Sequence, residues 1–161
     1  MLFTNLVALI SITSGFAVAN PVPVPVVNAI AGPELEARQI RGWQCGNTRH
    51  TLVSVENAMG DGIRLRRALR TIAQGNGVVW PHEYRNGSPN RPEVDPSPCA
   101  RLNLYEFPIL ASGADYAGGN PGPDRVVFAD SNRTPGAFEQ CFLMTHTGAT
   151  GNLFVKCRTF S

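Results

Sequence analysis

No stretch of this sequence is apolar for long enough to cross a bilayer, which takes about 20 residues of helix. Leu6–Ile12 is mostly apolar but short and interrupted, and no later segment is long enough either. None of the four cysteines stands in a CxxC pair, so the spacing expected of a structural zinc site is missing. No acidic cluster suits magnesium. There is no internal repeat, and no low-complexity tract beyond the proline-rich stretch after residue 20. Lysine is nearly absent, Lys156 being the only one. The formal net charge of +2 is compatible with an anionic partner and does not require one. A length of 161 residues fits one domain, and an apolar fraction of 43% excludes a disordered chain.

The first segment reads as an address. Met1–Ala19 carries no charged side chain, its apolar run is too short for an anchor, and Ala17-Val18-Ala19 fits a small-residue cleavage site. The expectation is a signal peptide over 1–19 and a secreted, extracellular protein with no membrane contact. Residues 20–41 read as a leader or pro-segment. Pro21, Pro23 and Pro25 alternate with valine, which favours an extended chain without a core. Arg38 and Arg41 are candidate processing sites, and a plain flexible arm is the alternative. Glu34, Glu36, Arg38 and Arg41 cancel, so trimming this segment leaves the charge unchanged. The functional domain is then 42–161.

Four cysteines remain in that domain: Cys45, Cys99, Cys141 and Cys157. In a secreted chain an even number reads as two disulfides, with three possible pairings.

The 13 prolines and 16 glycines predict many turns and few long elements. Thr51–Gln74 is the best helix, with Val55, Ala58, Met59, Ile63, Ala68, Leu69 and Ile72 near helical spacing. Thr51 or Ser54 would cap its start and Gly75 would end it, while Gly60 and Gly62 each weaken it by about 1 kcal/mol. Short strand-like runs follow: Val78–Trp80, Leu104–Leu110, Arg125–Ala129, Cys141–Thr145 and Leu153–Cys157. The layout is α+β: one N-terminal helix packed on a short-stranded antiparallel sheet. Arg64, Arg66, Arg67 and Arg70 form the densest basic cluster, which reads first as a solvated helix face and second as a phosphate holder.

Four short segments carry the chemistry: Trp80–Tyr84, Tyr105–Leu110, Pro121–Phe128 and Thr145–Phe154. Each alone is weak, since a lone strand histidine or glutamate is more often structural. Together they supply two imidazoles, one carboxylate and one guanidinium at the ends of strand-like runs. In order and wording they resemble the microbial guanyl-specific ribonucleases, whose relatives are the purine-preferring fungal ribonucleases and the sarcin-like ribotoxins. The likeness runs from Trp80 to Cys157, and the helix matches in place rather than in sequence.

The resemblance implies a helix on an antiparallel sheet whose concave face holds the site. It implies Glu106 as general base, His146 as general acid, and His82 and Arg125 flanking the phosphate. Trp80, Tyr84, Asn86, Asn152 and Phe154 become candidate substrate-binding residues, with Tyr84 the aromatic that stacks on the base and Phe154 an apolar wall. Tyrosine usually stands where this chain has Trp80; the exchange leaves an indole N–H as a donor toward phosphate. The resemblance also implies the pairings Cys45–Cys157 and Cys99–Cys141. The substrate is single-stranded RNA, which carries its own nucleophile, the 2′-hydroxyl. A base takes its proton while an acid protonates the departing 5′-oxygen, giving a 2′,3′-cyclic phosphate that water then opens. Neither metal nor cofactor enters, and a monomer is expected.

The likeness thins in the base-reading loop. The family's glutamate is not where it is expected, because Gly87–Pro92 intervenes before Glu93 and Asp95. Either Glu93 reaches back, or guanine selectivity relaxes toward purines; the latter is the expectation. Asn86 and Asn132 stand in glycosylation sequons; Pro89 makes the first a poor acceptor and a glycan there would crowd the pocket, so the second, in an expected hairpin loop, is the better candidate. Arg85 and Arg91 are the only basic residues between Tyr84 and Cys99, too few for a ribotoxin's long basic loop. The alternative function is a secreted ribonuclease-like effector that binds RNA or a host partner with little or no catalysis. Retention of Glu106, Arg125, His82 and His146 together favours the enzyme.

Overall fold

The computed structural model describes residues 40–88 and 91–161. The expected signal peptide (1–19) and nearly all of the expected leader (20–41) lie outside the described residues. In chain order the elements are β1 (Gly42–Cys45), β2 (Thr48–Thr51), α1 (Leu52–Arg67), β3 (Ile72–Ala73), β4 (Val79–Trp80), β5 (His82–Glu83), β6 (Gly87–Ser88), β7 (Arg91–Pro92), β8 (Leu104–Pro108), β9 (Asp124–Asp130), β10 (Phe138–Thr145), β11 (Val155–Lys156) and β12 (Arg158–Phe160). The expected α+β layout is present, with a hairpin of β1 and β2 ahead of the helix that hydrophobic patterning did not reveal.

Helix α1 starts where the capping chemistry says it should. Thr51 is extended (φ −76°, ψ 160°) and its side chain accepts the Ser54 amide at 3.2 Å. The helix ends at Arg67, not near Gly75. Leu69 takes a positive φ of 52°, and the chain turns so that Ile72 and Ala73 pair with Trp80 and Val79. Of the apolar positions expected beyond Arg67, Ile72 therefore serves a strand while Ala68 and Leu69 lie exposed where the helix ends, and Gly75 and Gly77, both at positive φ, shape the hairpin turn. Gly62, expected to weaken the helix, serves its packing. A Cβ there would lie 2.9 Å from Phe128 Cε1 and 3.1 Å from Phe107 Cβ, so its bare backbone lets the helix approach the sheet.

The main sheet is antiparallel in the order β11-β10-β9-β8-β5. Side chains alternate across it. Phe107, Val126, Phe128 and Leu143 bury themselves against Val55 and Leu65 of the helix. On the other face Leu104, Val127, Ala129, Phe142 and Met144 form a second apolar cluster with Tyr84 and Val94. By the same alternation Glu106 and Arg125 stand on that second face. A smaller sheet, β12-β1-β2, joins the two ends of the domain. The disulfides are Cys45–Cys157 and Cys99–Cys141. The second fastens the loop ahead of β8 to the bulge of β10 between Gln140 and Phe142.

Two of the four clustered arginines reach across the fold, and Arg64 pairs within the helix. Arg66 donates to the Tyr105 hydroxyl at 2.5 Å, Arg67 to the Gly136 carbonyl at 2.7 Å, and Arg64 to Asp61 at 2.8 Å. Arg66 and Arg67 thus clamp the end of the helix onto the sheet region. Among the described residues no helix is long and apolar enough to cross a membrane.

Candidate active site

The site begins with one cross-strand pair. His82 of β5 lies opposite Glu106 of β8, and His82 Nε2 is 2.8 Å from Glu106 Oε1. His82 Nδ1 is held 2.8 Å from the Val79 carbonyl, which can only accept, so Nδ1 carries a proton. The hydrogen bond to Glu106 raises the His82 pKa above its ordinary value, against the opposing pull of burial. The contact therefore favours the protonated form of His82.

Arg125 closes the other side of the carboxylate. Its Nε lies 3.8 Å from Glu106 Oε2 while Nη1 donates to the Gly122 and Asp124 carbonyls, both at 2.8 Å. Burial is the main influence on this guanidinium and lowers its pKa, with Glu106 and Asp124 working the other way. The Trp80 ring lies 4.6 Å from the guanidinium carbon and 4.4 Å from the His82 ring. Its indole N–H donates to Gln74 at 3.2 Å. Trp80 is thus a platform beneath the two cations, and the donor expected to face phosphate is directed elsewhere.

Two buried atoms of this group have no hydrogen-bond partner: Glu106 Oε2 and Arg125 Nε. A separation of 3.8 Å is too long for them to satisfy each other. Leaving such groups unpaired costs about 1–3 kcal/mol each. An acceptor and a donor left open side by side suit a ligand that brings both a hydroxyl and an anionic oxygen.

His146 sits one residue past the end of β10, its amide donating to the Pro123 carbonyl at 3.1 Å. Nδ1 is held 2.8 Å from the Leu153 carbonyl, leaving Nε2 for substrate. The ring stacks on Phe154 with centroids 3.8 Å apart. Phe154 meets Tyr84 edge-on at 5.9 Å, and Tyr84 meets Phe142 at 6.3 Å. The structure therefore gathers the expected residues in two groups. His82, Glu106, Arg125 and Trp80 are in mutual contact, while His146, Phe154 and Tyr84 form an aromatic run. Among the described residues no hydrogen bond joins the His146 side chain to the first group.

The loop residues behave differently from one another. Tyr84 is buried and its phenol, pushed up by burial first and Glu93 second, donates to Asn86 Oδ1 at 3.0 Å. The Asn86 amide is consumed within the loop, accepting from the Val94 amide at 2.7 Å and donating to its carbonyl at 2.6 Å. Asn152 is exposed in the turn before Leu153. The residue that sequence spacing misplaced is Glu93. Strands β6 and β7 pair Gly87 with Pro92 and Ser88 with Arg91, the Glu93 amide bonds the Asn86 carbonyl at 3.3 Å, and its carboxylate accepts the Phe154 amide. Glu93 thus does reach back, to the edge shared by the Tyr84 loop and the Phe154 segment. Only the pairing of the hairpin, which sequence does not display, could have placed it.

Behind Arg125 lies a second polar pair. His50 Nε2 is 2.8 Å from Asp124 Oδ2, both side chains being 1% exposed. Cys45 converges on the same point, but its sulfur is bonded to Cys157 and offers no thiolate for a metal.

A protein-family model described as a ribonuclease matches residues 38–158. The chain belongs to this ribonuclease family. The guanyl-specific ribonuclease C2 of Aspergillus clavatus is 38% identical over 133 residues, 82% of this chain and 89% of that protein. The guanyl-specific ribonuclease T1 of Aspergillus oryzae is 37% identical over 80% of this chain and 87% of its own. The guanyl-specific ribonuclease N1 of Neurospora crassa is 32% identical over 97% of each. For a ribonuclease the two open atoms at Glu106 and Arg125 take on meaning, because RNA presents a 2′-hydroxyl beside a phosphate.

Proposed function

We propose that this chain is a secreted, guanine-preferring endoribonuclease that cleaves single-stranded RNA through a 2′,3′-cyclic phosphate, acting as a monomer without metal or cofactor. The observation that carries the reading is the Glu106 carboxylate held between His82 and Arg125 with Oε2 buried and unpartnered. Oε2 takes the 2′-hydroxyl proton. His146, oriented by the Leu153 carbonyl and the Phe154 ring, gives its Nε2 proton to the departing 5′-oxygen. Arg125, whose Nε has no partner, holds the phosphate oxygens as charge builds on them, and His82, both of whose N–H groups are taken, contributes only its charge. Glu106 and His146 exchange roles when water opens the cyclic product.

Guanine preference, rather than the relaxed purine selectivity expected from spacing, is supported by Glu93. Its carboxylate at the Phe154 amide is an acceptor suited to the N–H edge of guanine, which adenine lacks. The relatives' names point the same way. Secretion over a 1–19 signal peptide and a 20–41 leader fits the two disulfides.

The test uses the refolded 42–161 domain with EDTA present. Single-stranded RNA should be cut to 2′,3′-cyclic ends, with GpN dinucleotides favoured over ApN. Glu106→Ala and His146→Ala should each lose about 10²- to 10⁴-fold in kcat. A folded, disulfide-intact protein that cuts nothing would replace this reading with a silent RNA-binding effector.

A further inference from the structure

The small sheet β12-β1-β2 has one buried face and one exposed face. Trp43 and His50 bury the first. On the second, register sets Arg49, Gln44 and Arg158 side by side across three strands. Neighbouring strands lie about 4.8 Å apart, so the two arginines are anchored about 10 Å from each other with a neutral amide between them. Gln44 accepts from Arg49 Nε at 3.0 Å, which orders that guanidinium without neutralising it. Among the described residues neither arginine meets a carboxylate within ion-pair distance, and neither 40–51 nor 155–161 contains Asp or Glu. Arg41, exposed, precedes β1.

An aromatic ring completes this face. Phe160 lies against Gly42, where a Cβ would come 2.7 Å from the ring, and Arg49 sits 5.3 Å from the ring centroid. Unpaired guanidinium groups beside a half-exposed aromatic are what single-stranded nucleic acid uses for phosphates and bases. The place of the sheet also matters. The β1–β2 turn packs on the residue after the general acid, a Cβ on Gly46 falling 2.4 Å from Thr147 Cγ2. His146 protonates the leaving oxygen, so the strand 3′ to the cut departs on this side. Lys156, by contrast, is spent on the Asp95 and Ser97 carbonyls.

We infer that the Arg49–Gln44–Arg158 row, with Phe160, is an auxiliary RNA-binding surface that holds the phosphates downstream of the scissile bond. The inference rests on the catalytic reading above for its direction along the strand. It makes the enzyme favour longer substrates with 3′ extensions over dinucleotides.

The test compares wild type with R49Q/R158Q on three substrates: a GpC dinucleotide, an oligonucleotide extended 3′ of its single guanine, and one extended 5′. The double variant should match wild type on the dinucleotide and the 5′-extended strand. On the 3′-extended strand it should lose about 3- to 10-fold in kcat/KM at low salt, with a log–log salt slope shallower by about 1.4 for the two lost contacts. Equal losses on all three, or no loss on the 3′-extended strand, would overturn it. Anisotropy with 3′-extended oligonucleotides carrying 2′-deoxyguanosine, which lack the nucleophile, reads binding alone. Unchanged affinity there sinks the surface even if no variant cuts RNA, whereas weakened affinity without cleavage by wild type sinks only the catalytic reading.

Discussion

Glu106 sits between two cations, and the consequences are asymmetric. Its hydrogen bond favours the protonated form of His82, so the folded pKa of His82 lies above the unfolded one. The stabilising contribution is then fully present below the unfolded value, near 6.5, and fades as pH rises through the folded value. His82→Asn should flatten the fall in thermal midpoint between neutral and mildly alkaline pH, and Glu106→Gln should do the same. A wild-type stability curve that keeps rising across that window would contradict the assigned charge states. At this scale the sequence was legible because four motifs name residue types that chemistry requires. The supports were not legible. Nothing in the primary structure says that Val79 and Leu153 lend carbonyls to the two imidazoles, or that Gln74 takes the Trp80 N–H.

The helix shows why propensity and position must be read together. Gly60 and Gly62 carry the same penalty in isolation. In the fold Gly60 faces open space, while Gly62 faces Phe128 and Phe107. Gly60→Ala should therefore stabilise by up to about 1 kcal/mol. Gly62→Ala gains the same propensity but overpacks the helix–sheet contact at about 1–3 kcal/mol, so the net change should be destabilising. Urea midpoints of the two variants should move in opposite directions; movement of both upward would mean that the core yields more readily than its close contacts imply. Periodicity found the helix and the central strands because their faces are buried. It missed β1 and β2, whose half-buried and exposed positions hold Gln44, Thr48, Arg49 and Thr51, and it overran the helix because Ile72 is apolar for the sake of β3.

Across the whole molecule the two ends of the described residues are brought to the main sheet by three devices: the β12–β1 pairing, the Cys45–Cys157 bridge, and the His50–Asp124 contact. The last is the one that touches the site. Asp124 pairs in register with Thr145, the residue before His146, and its carbonyl accepts from Arg125. One residue thus stands between Arg125 and His146. His50→Leu removes the only partner that the Asp124 carboxylate has among the described residues, since Oδ1 is already unpartnered. Breaking a buried polar pair from one side costs about 3–5 kcal/mol, because the remaining group stays desolvated and unpaired. The chemical denaturation midpoint should fall accordingly. A loss below about 1 kcal/mol would mean that water reaches Asp124 and that the N-terminal hairpin is not braced through it.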